Sequence, residues 1–195
     1  MSDVRPSSAP TRVIHDAQRG DQAAFDTIFR IHQPGLLRYL RAVAPDLAAD
    51  VASATWESVA RSLHRFSGDG DDLRAWLFTI ARRRLTDEVR RASRRPLRVA
   101  SPPEDVDERT AADAAWGEPD WAEAVLRKIP TRQADAVALR VIGGLSVAET
   151  ADLLGVTQQN VRVLCHRGLG AIAEVLGVDR AGTRSENAET LLSVV

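Results

Sequence analysis

Residues 145–172 read LSVAETADLLGVTQQNVRVLCHRGLGAI. Ser146 and Glu149 have the capping-box spacing, in which a serine hydroxyl and a glutamate carboxylate each satisfy the other residue's backbone N–H at a helix start. The apolar pattern that follows stops at Gly155, where a left-handed residue closes a helix without steric penalty. Val156 fills the turn, and Thr157 can cap a second amphipathic stretch, QQNVRVLCHRGLGAIAEVL. A short helix, a glycine turn of about three residues and a second helix make a helix-turn-helix. Its inward set is Ala148, Ala151, Leu154, Val156, Val161 and Leu164, with Ala151 small where the two helices cross.

Subtracting that core leaves Thr157, Gln158, Gln159, Arg162, Val163, His166 and Arg167 on the outer side of the second helix. Amides and arginines at a helix N-terminus suit the major groove: glutamine pairs with the adenine edge, arginine with the guanine edge or a phosphate. The same residues would also serve as the solvated face of an ordinary helical pair. Cys165, next to Leu164, reads as a small core residue.

Upstream, the chain is helical in period from Thr11 to about Ala92. Val13, Ile14 and Ala17 form one short face. Asp21 is placed to cap a helix carrying Ala24, Phe25, Ile28, Phe29 and Ile31. Pro34 reads as the first residue of a new helix bearing Leu36, Leu37, Leu40 and Val43. Pro45 restarts the chain ahead of Leu47, Val51, Ala54, Trp56, Val59 and Leu63. The run FSGDGDD (66–72) breaks the pattern and reads as a loop, with Asp72 as cap of a helix holding Leu73, Trp76, Leu77, Ile80, Ala81, Leu85 and Val89.

Charge is segregated along the chain. The 195 residues carry a net charge of -1, and Lys128 is the one lysine among 26 basic residues. Yet residues 82–98 hold eight arginines against Asp87 and Glu88, while residues 100–120 hold seven acids against Arg109. Arginines bind backbone phosphate and aromatics can stack on unpaired bases, so FSGDGDDLRAWLFTIARRRLTDEVRR (66–91) suits strand-separated DNA. Trp76 serves equally as a core residue.

Prolines 96, 102 and 103 interrupt any helix through the charge reversal. The expected fold is therefore all-α: an N-terminal bundle over 11–92 and a helix-turn-helix domain over 118–178, joined by a flexible linker at 93–117. Residues 1–10 read as disordered and 179–195 as a loose tail. From Glu118, Trp121, Ala124, Val125, Leu126 and Ile129 resume the pattern. Pro130 then opens a helix with Ala134, Val137, Ala138, Val141 and Ile142 inward, ended by Gly143-Gly144.

Several function classes are disfavoured. One cysteine excludes a disulfide framework or a cysteine-built zinc site, and His15, His32 and His64 lack ligand spacing. No apolar run approaches the ~20 residues that span a bilayer. The N-terminus lacks a signal-peptide apolar stretch, and a cytoplasmic location is expected. No nucleophile elbow, phosphate loop or carboxylate pair marks an enzyme, and no cofactor is expected.

GDQAAFDTIF (20–29), LAADVASATWESVARSL (47–63) and RAWLFTIARRRLTDEVRR (74–91) resemble region 2 of an extracytoplasmic-function (ECF) sigma factor of the sigma-70 family. IPTRQADAVALRVIGGLSVAETADLLGVTQQNVRVLCHRGLGAI (129–172) resembles its region 4. The resemblance implies an alternative sigma factor that binds the bacterial RNA polymerase core and directs promoter-specific initiation. It implies that the helix matching Ala48–Leu63 docks on the β′ clamp, with Asp50, Ser53, Trp56 and Glu57 as contacts. It implies that the loop and helix matching Ser67–Arg91 recognise and melt the -10 element through Ser67, Asp69, Trp76, Thr79, Arg82, Arg83, Asp87, Arg90 and Arg91. Region 4 would read the -35 element through the helix-turn-helix while resting on the β flap.

An anti-sigma factor is the further partner the resemblance implies. The acidic run Glu104–Asp120 would mimic nucleic acid in a polymerase channel, or serve as a solvated spacer. The chain departs from the family pattern at Ser53 and Ala54, where glutamine and glutamate are usual, and at Arg83, where asparagine is usual. In the recognition helix, Asn160-Val161-Arg162 replaces threonine-valine-lysine, and Leu164-Cys165-His166 stands where a serine-arginine pair is usual. The alternative reading is a stand-alone helix-turn-helix transcription regulator whose N-terminal bundle senses a signal or dimerises.

Overall fold

Asp21 accepts a hydrogen bond from the N–H of Ala24 at 3.1 Å and starts the longest of the early helices. The computed structural model describes residues 8–94 and 121–177. The described residues form helices and no strand: α1 (Thr11–Gln18), α2 (Gln22–Val43), α3 (Ala48–Ser62), α4 (Gly70–Arg94), α5 (Trp121–Leu126), α6 (Thr131–Val141), α7 (Val147–Leu154) and α8 (Gln158–Val175). Short 3-10 turns at Pro45–Leu47 and Leu63–Arg65 flank α3. None of these helices is long and apolar enough to cross a membrane. The expected linker beyond Arg94, its acidic run, Glu118 and the tail at 179–195 lie outside the described residues.

Three local expectations are corrected. Pro34 does not begin a helix; it lies inside α2, which runs unbroken. Proline within a helix costs about 3 kcal/mol, but Ala24, Ile28, His32, Leu36, Tyr39 and Leu40 form one buried stripe across it, so burial on both sides of Pro34 opposes a break. The cap of α4 is Asp69 rather than Asp72: its Oδ1 accepts from the N–H groups of Asp71 and Asp72 at 2.8 and 3.0 Å. Asp72 reciprocates, its Oδ2 accepting from the Asp69 N–H at 2.9 Å. These bonds hold the Asp69 carboxyl below the usual carboxylate range, the Asp72 N–H contributing most. Order also reaches back to Ser8, and Ala9 is buried against the start of α4, where a Cβ on Gly70 would strike its carbonyl.

Burial follows helical period with exceptions. Val141 and Val89 are 64% and 51% exposed, and Ala148 also faces outward rather than into the core. In their place Thr150, the residue before Ala151, is fully buried. Residues of both expected domains join one apolar cluster, from Ile14, Leu36, Val51 and Phe78 to Leu126, Leu139, Ile142 and Leu145.

The loop preceding α4 is tied from behind. Gln18 Nε2 donates to the carbonyls of Leu63 and Phe66 at 3.1 and 2.7 Å. The end of α1 thereby fixes the exit of α3 and the entry to residues 67–69.

Candidate nucleic-acid interface

The helix-turn-helix is built by local chemistry. Ser146 Oγ accepts from the Glu149 N–H at 3.1 Å, and Glu149 Oε2 accepts from the Ser146 N–H at 2.5 Å. Gly155 adopts φ 65° and ψ 40°, and the Val156 N–H bonds back to the Ala151 carbonyl at 3.0 Å. That is the six-to-one bond of a glycine-terminated helix. Thr157 is extended and accepts from the Asn160 N–H at 3.2 Å, opening α8. Arg140 donates to the Leu145 carbonyl, anchoring the start of the motif to α6.

Val161 is fully buried and sets the rotation of α8. Thr157, Gln158, Gln159, Arg162, His166 and Arg167 are then exposed together, and Val163 is half-buried at their edge. Five of these six can offer an N–H, and the two arginines stand five residues apart. Such a surface can present donors to base edges and phosphates at once. Cys165 is half-buried, and burial pushes its thiol pKa up, with Arg140 opposing. A thiol kept protonated is a poor nucleophile.

The second surface is α4. Ser67, Asp69, Arg83, Asp87, Arg90 and Arg91 are exposed, and Thr79 is half-buried. Trp76 is half-buried and tilts against Phe66, the ring centroids 5.2 Å apart. It is thus neither a sealed core residue nor a free stacking platform. Asp69 spends its carboxylate on the helix cap, and Arg91 pairs with Glu88. Arg84 turns back to α3, donating to Ser58 Oγ at 3.1 and 2.6 Å. Arg82 is held elsewhere: its Nη1 donates to Asp135 Oδ2 on α6 at 2.7 Å.

On α3, Asp50, Ser53 and Glu57 are exposed at i, i+3 and i+7, on one face. Trp56 is not with them. Only 7% of it is exposed, its ring packs against Phe25 and Phe29, and its indole N–H is used by Gln33. It supports the face from beneath. Among the described residues no three His, Cys, Asp or Glu side chains gather into a metal site. Periodicity missed the cluster of Tyr39, Arg82 and Asp135, because each partner lies more than 40 positions from the next and nothing local marks it.

This order, an arginine-faced helical bundle followed by a helix-turn-helix, is that of a two-part helical transcription factor. Residues 28–95 match the family model "Sigma-70 region 2", and residues 120–172 match "Sigma-70, region 4". The ECF RNA polymerase sigma factor ShbA of Streptomyces griseus subsp. griseus is 31% identical over 180 residues, covering 82% of this chain and 91% of that protein. SigD of Mycobacterium tuberculosis, also an ECF RNA polymerase sigma factor, is 32% identical over 173 residues, covering 80% of this chain and 79% of SigD.

The fold resembles CnrH, solved in complex with the cytosolic domain of CnrY, at TM-score 0.59 and 24% identity over 88% of this chain and 99% of that one. RpoE of Bartonella quintana, solved with the anti-sigma factor NepR, gives TM-score 0.59 and 22% identity over 80% and 98%. The chain belongs to the ECF RNA polymerase sigma factors of the sigma-70 family. It is an alternative sigma factor that directs transcription initiation, and like its family it is not an enzyme.

Proposed function

We propose that α8 reads the -35 element, that α4 with the loop at 67–69 recognises and melts the -10 element, and that the Asp50–Ser53–Glu57 face of α3 docks on the β′ clamp of the polymerase core. The observation that carries this reading is the α8 surface, where Gln158, Gln159, Arg162, His166 and Arg167 share one exposed side above fully buried Val161. In the closely related task of groove reading, a recognition helix needs donors at its N-terminal turns and an apolar back. Region 4 would rest on the β flap.

On α4, Arg83 and Arg90 supply phosphate contacts, and Trp76 with Phe66 supplies an aromatic edge for an unpaired base. An anti-sigma factor is proposed as a protein partner, because RpoE, which shares this fold, was solved with one. A cytoplasmic location is part of the same proposal, because sigma factors act on RNA polymerase.

The test is reconstituted transcription with core polymerase on a library of promoter sequences. Start sites that appear only when the chain is added, with enriched -35 and -10 sequences, support the assignment. Operator binding by the chain without core polymerase, and no new start sites with it, would overturn it.

A further inference from the structure

The loop that leads into α4 is rich in glycine. Residues 66–70 read FSGDG, and Gly68 adopts φ 146°, a backbone region that favours glycine. Asp69 and Asp72 tie its downstream half to α4. The upstream half is held from α1. Gln18, the last residue of that helix, donates from one Nε2 to the carbonyls of Leu63 and Phe66, which lie 45 and 48 positions away in sequence.

The other end of α1 reaches the far side of the same loop. Ala9 is 2% exposed and lies over Gly70, itself buried. A Cβ on Gly70 would strike the Ala9 carbonyl oxygen and come within 3.0 Å of Ser8 Cβ. The Pro10 carbonyl accepts from the N–H groups of Val13 and Ile14 at 2.9 and 3.2 Å, so residues 8–10 run directly into the helix. Ile14 and Ala17 fix α1 in the apolar core. α1 is thus a rigid bar of roughly 12 Å that grips the loop at both ends. Gln18 holds it where it leaves α3, and Ala9 where it enters α4.

We infer that Gln18 and the segment Ser8–Pro10 are positioning residues for promoter opening, a strap that sets the loop at 67–69 before DNA arrives. The inference rests on the -10 role proposed above for that loop. A glycine-rich loop loses more conformational freedom than most when it is ordered. Ordering it only on contact with DNA would subtract from the binding that separates the strands. Ordering it during folding leaves that binding undiminished, which is the advantage of preorganisation. Neither Ala9 nor Gln18 touches DNA in this arrangement; both act through the loop.

The experiment uses holoenzyme assembled with the parent chain or with three variants. Gln18→Met removes both donated hydrogen bonds at nearly equal helix propensity. Gly70→Ala sets a methyl group against the Ala9 carbonyl while favouring α4 itself. Deletion of residues 2–9 removes the first part of the strap. Run-off transcription is measured on a duplex promoter and on one with a mismatched bubble over the -10 element. Each variant should lower duplex transcription about 10-fold, the effect of losing one or two net hydrogen bonds. The loss on the bubble should be far smaller, since the strands there are already parted. Gly70→Ala should add little to the deletion.

Hydrogen exchange of the amides of residues 67–72 is measured in parallel and should quicken in all three variants. Equal losses on the two templates, or amides that exchange as in the parent, overturn the strap. If Gln18→Met loses helical circular dichroism, the deletion decides, and parent-like exchange there overturns the strap as well. Faster exchange with parent-like duplex transcription leaves the strap standing and overturns the -10 role of the loop.

Discussion

Trp56 donates its indole N–H to Gln33 Oε1 at 2.6 Å, across the packing of α3 on α2. The ring itself lies between Phe25, at 6.1 Å and nearly perpendicular, and Phe29, at 4.8 Å. A residue beneath the proposed polymerase-docking face of α3 is thereby committed to the core. Its removal would confuse loss of docking with loss of folding.

Gln33→Leu should isolate the hydrogen bond. It keeps an apolar stem beside the ring and leaves the buried indole N–H without its acceptor, which costs about 1–3 kcal/mol. Urea denaturation followed by tryptophan fluorescence should show the midpoint fall with little change in slope. Trp56→Ala should cost about 3–5 kcal/mol by opening a cavity. Polymerase docking is then better probed at Asp50 and Glu57, whose replacement should weaken core binding while leaving the urea midpoint in place.

Two glycines of α8 should respond oppositely to the same change. A Cβ on Gly168 would come 2.7 Å from Val137 Cγ2 and 3.3 Å from Gln133 Cβ, because α8 crosses α6 there. A Cβ on Gly170 would meet nothing within 4 Å. Alanine is the better helix former by about 1 kcal/mol. Gly170→Ala should therefore stabilise the chain by up to that amount, and Gly168→Ala should destabilise it by about 1–3 kcal/mol through overpacking. Paired thermal melts check the difference, and a rise in both melting temperatures would refute the close crossing.

His32 makes stability depend on pH. It is buried within α2, its Nε2 has no hydrogen-bond partner among the described residues, and burial lowers its pKa from about 6.5 to about 4, with Arg74 adding to the effect. The unfolded chain therefore binds more protons than the folded one between those two values. The contribution of neutral His32 is full above about pH 6.5 and is lost as pH falls toward 4. Between pH 7.5 and 5.0 this amounts to about 2 kcal/mol. Denaturation at those two pH values should show that loss in the parent chain and a smaller one in His32→Leu.

What the sequence disclosed depended on the range of the interaction. Ser146, Glu149, Gly155 and Thr157 act on backbone groups within four positions, and each does in the structure what its spacing implies. Asp69 and Asp72 show the limit of such reading: both are good caps, and it is Asp69 that accepts from the N–H groups at the helix start. Pro34 misled because a local rule met a buried stripe that continues through it. The partners of Trp56 and Arg82 were illegible, since 23 positions separate Trp56 from Gln33 and 53 separate Arg82 from Asp135. Arginine content makes α4 a candidate phosphate-binding helix but cannot say which arginine is already taken.

Arg162 and Arg167 offer the most direct test of promoter reading. Both are exposed on α8, turned away from buried Val161, so neither substitution by alanine should move stability by more than about 0.5 kcal/mol. A guanine contact is worth about 1–3 kcal/mol of discrimination, whereas a phosphate contact weakens all sequences alike. Arg162 lies within the first turns of α8, where recognition helices approach base edges. Arg162→Ala should therefore reduce run-off transcription from a cognate promoter about 10-fold or more. It should also relax selection at one -35 position in a promoter library. Arg167, five residues further along, should instead act on phosphate: Arg167→Ala should lower affinity uniformly and flatten the salt dependence. Unchanged transcription with Arg162→Ala would remove α8 from -35 recognition.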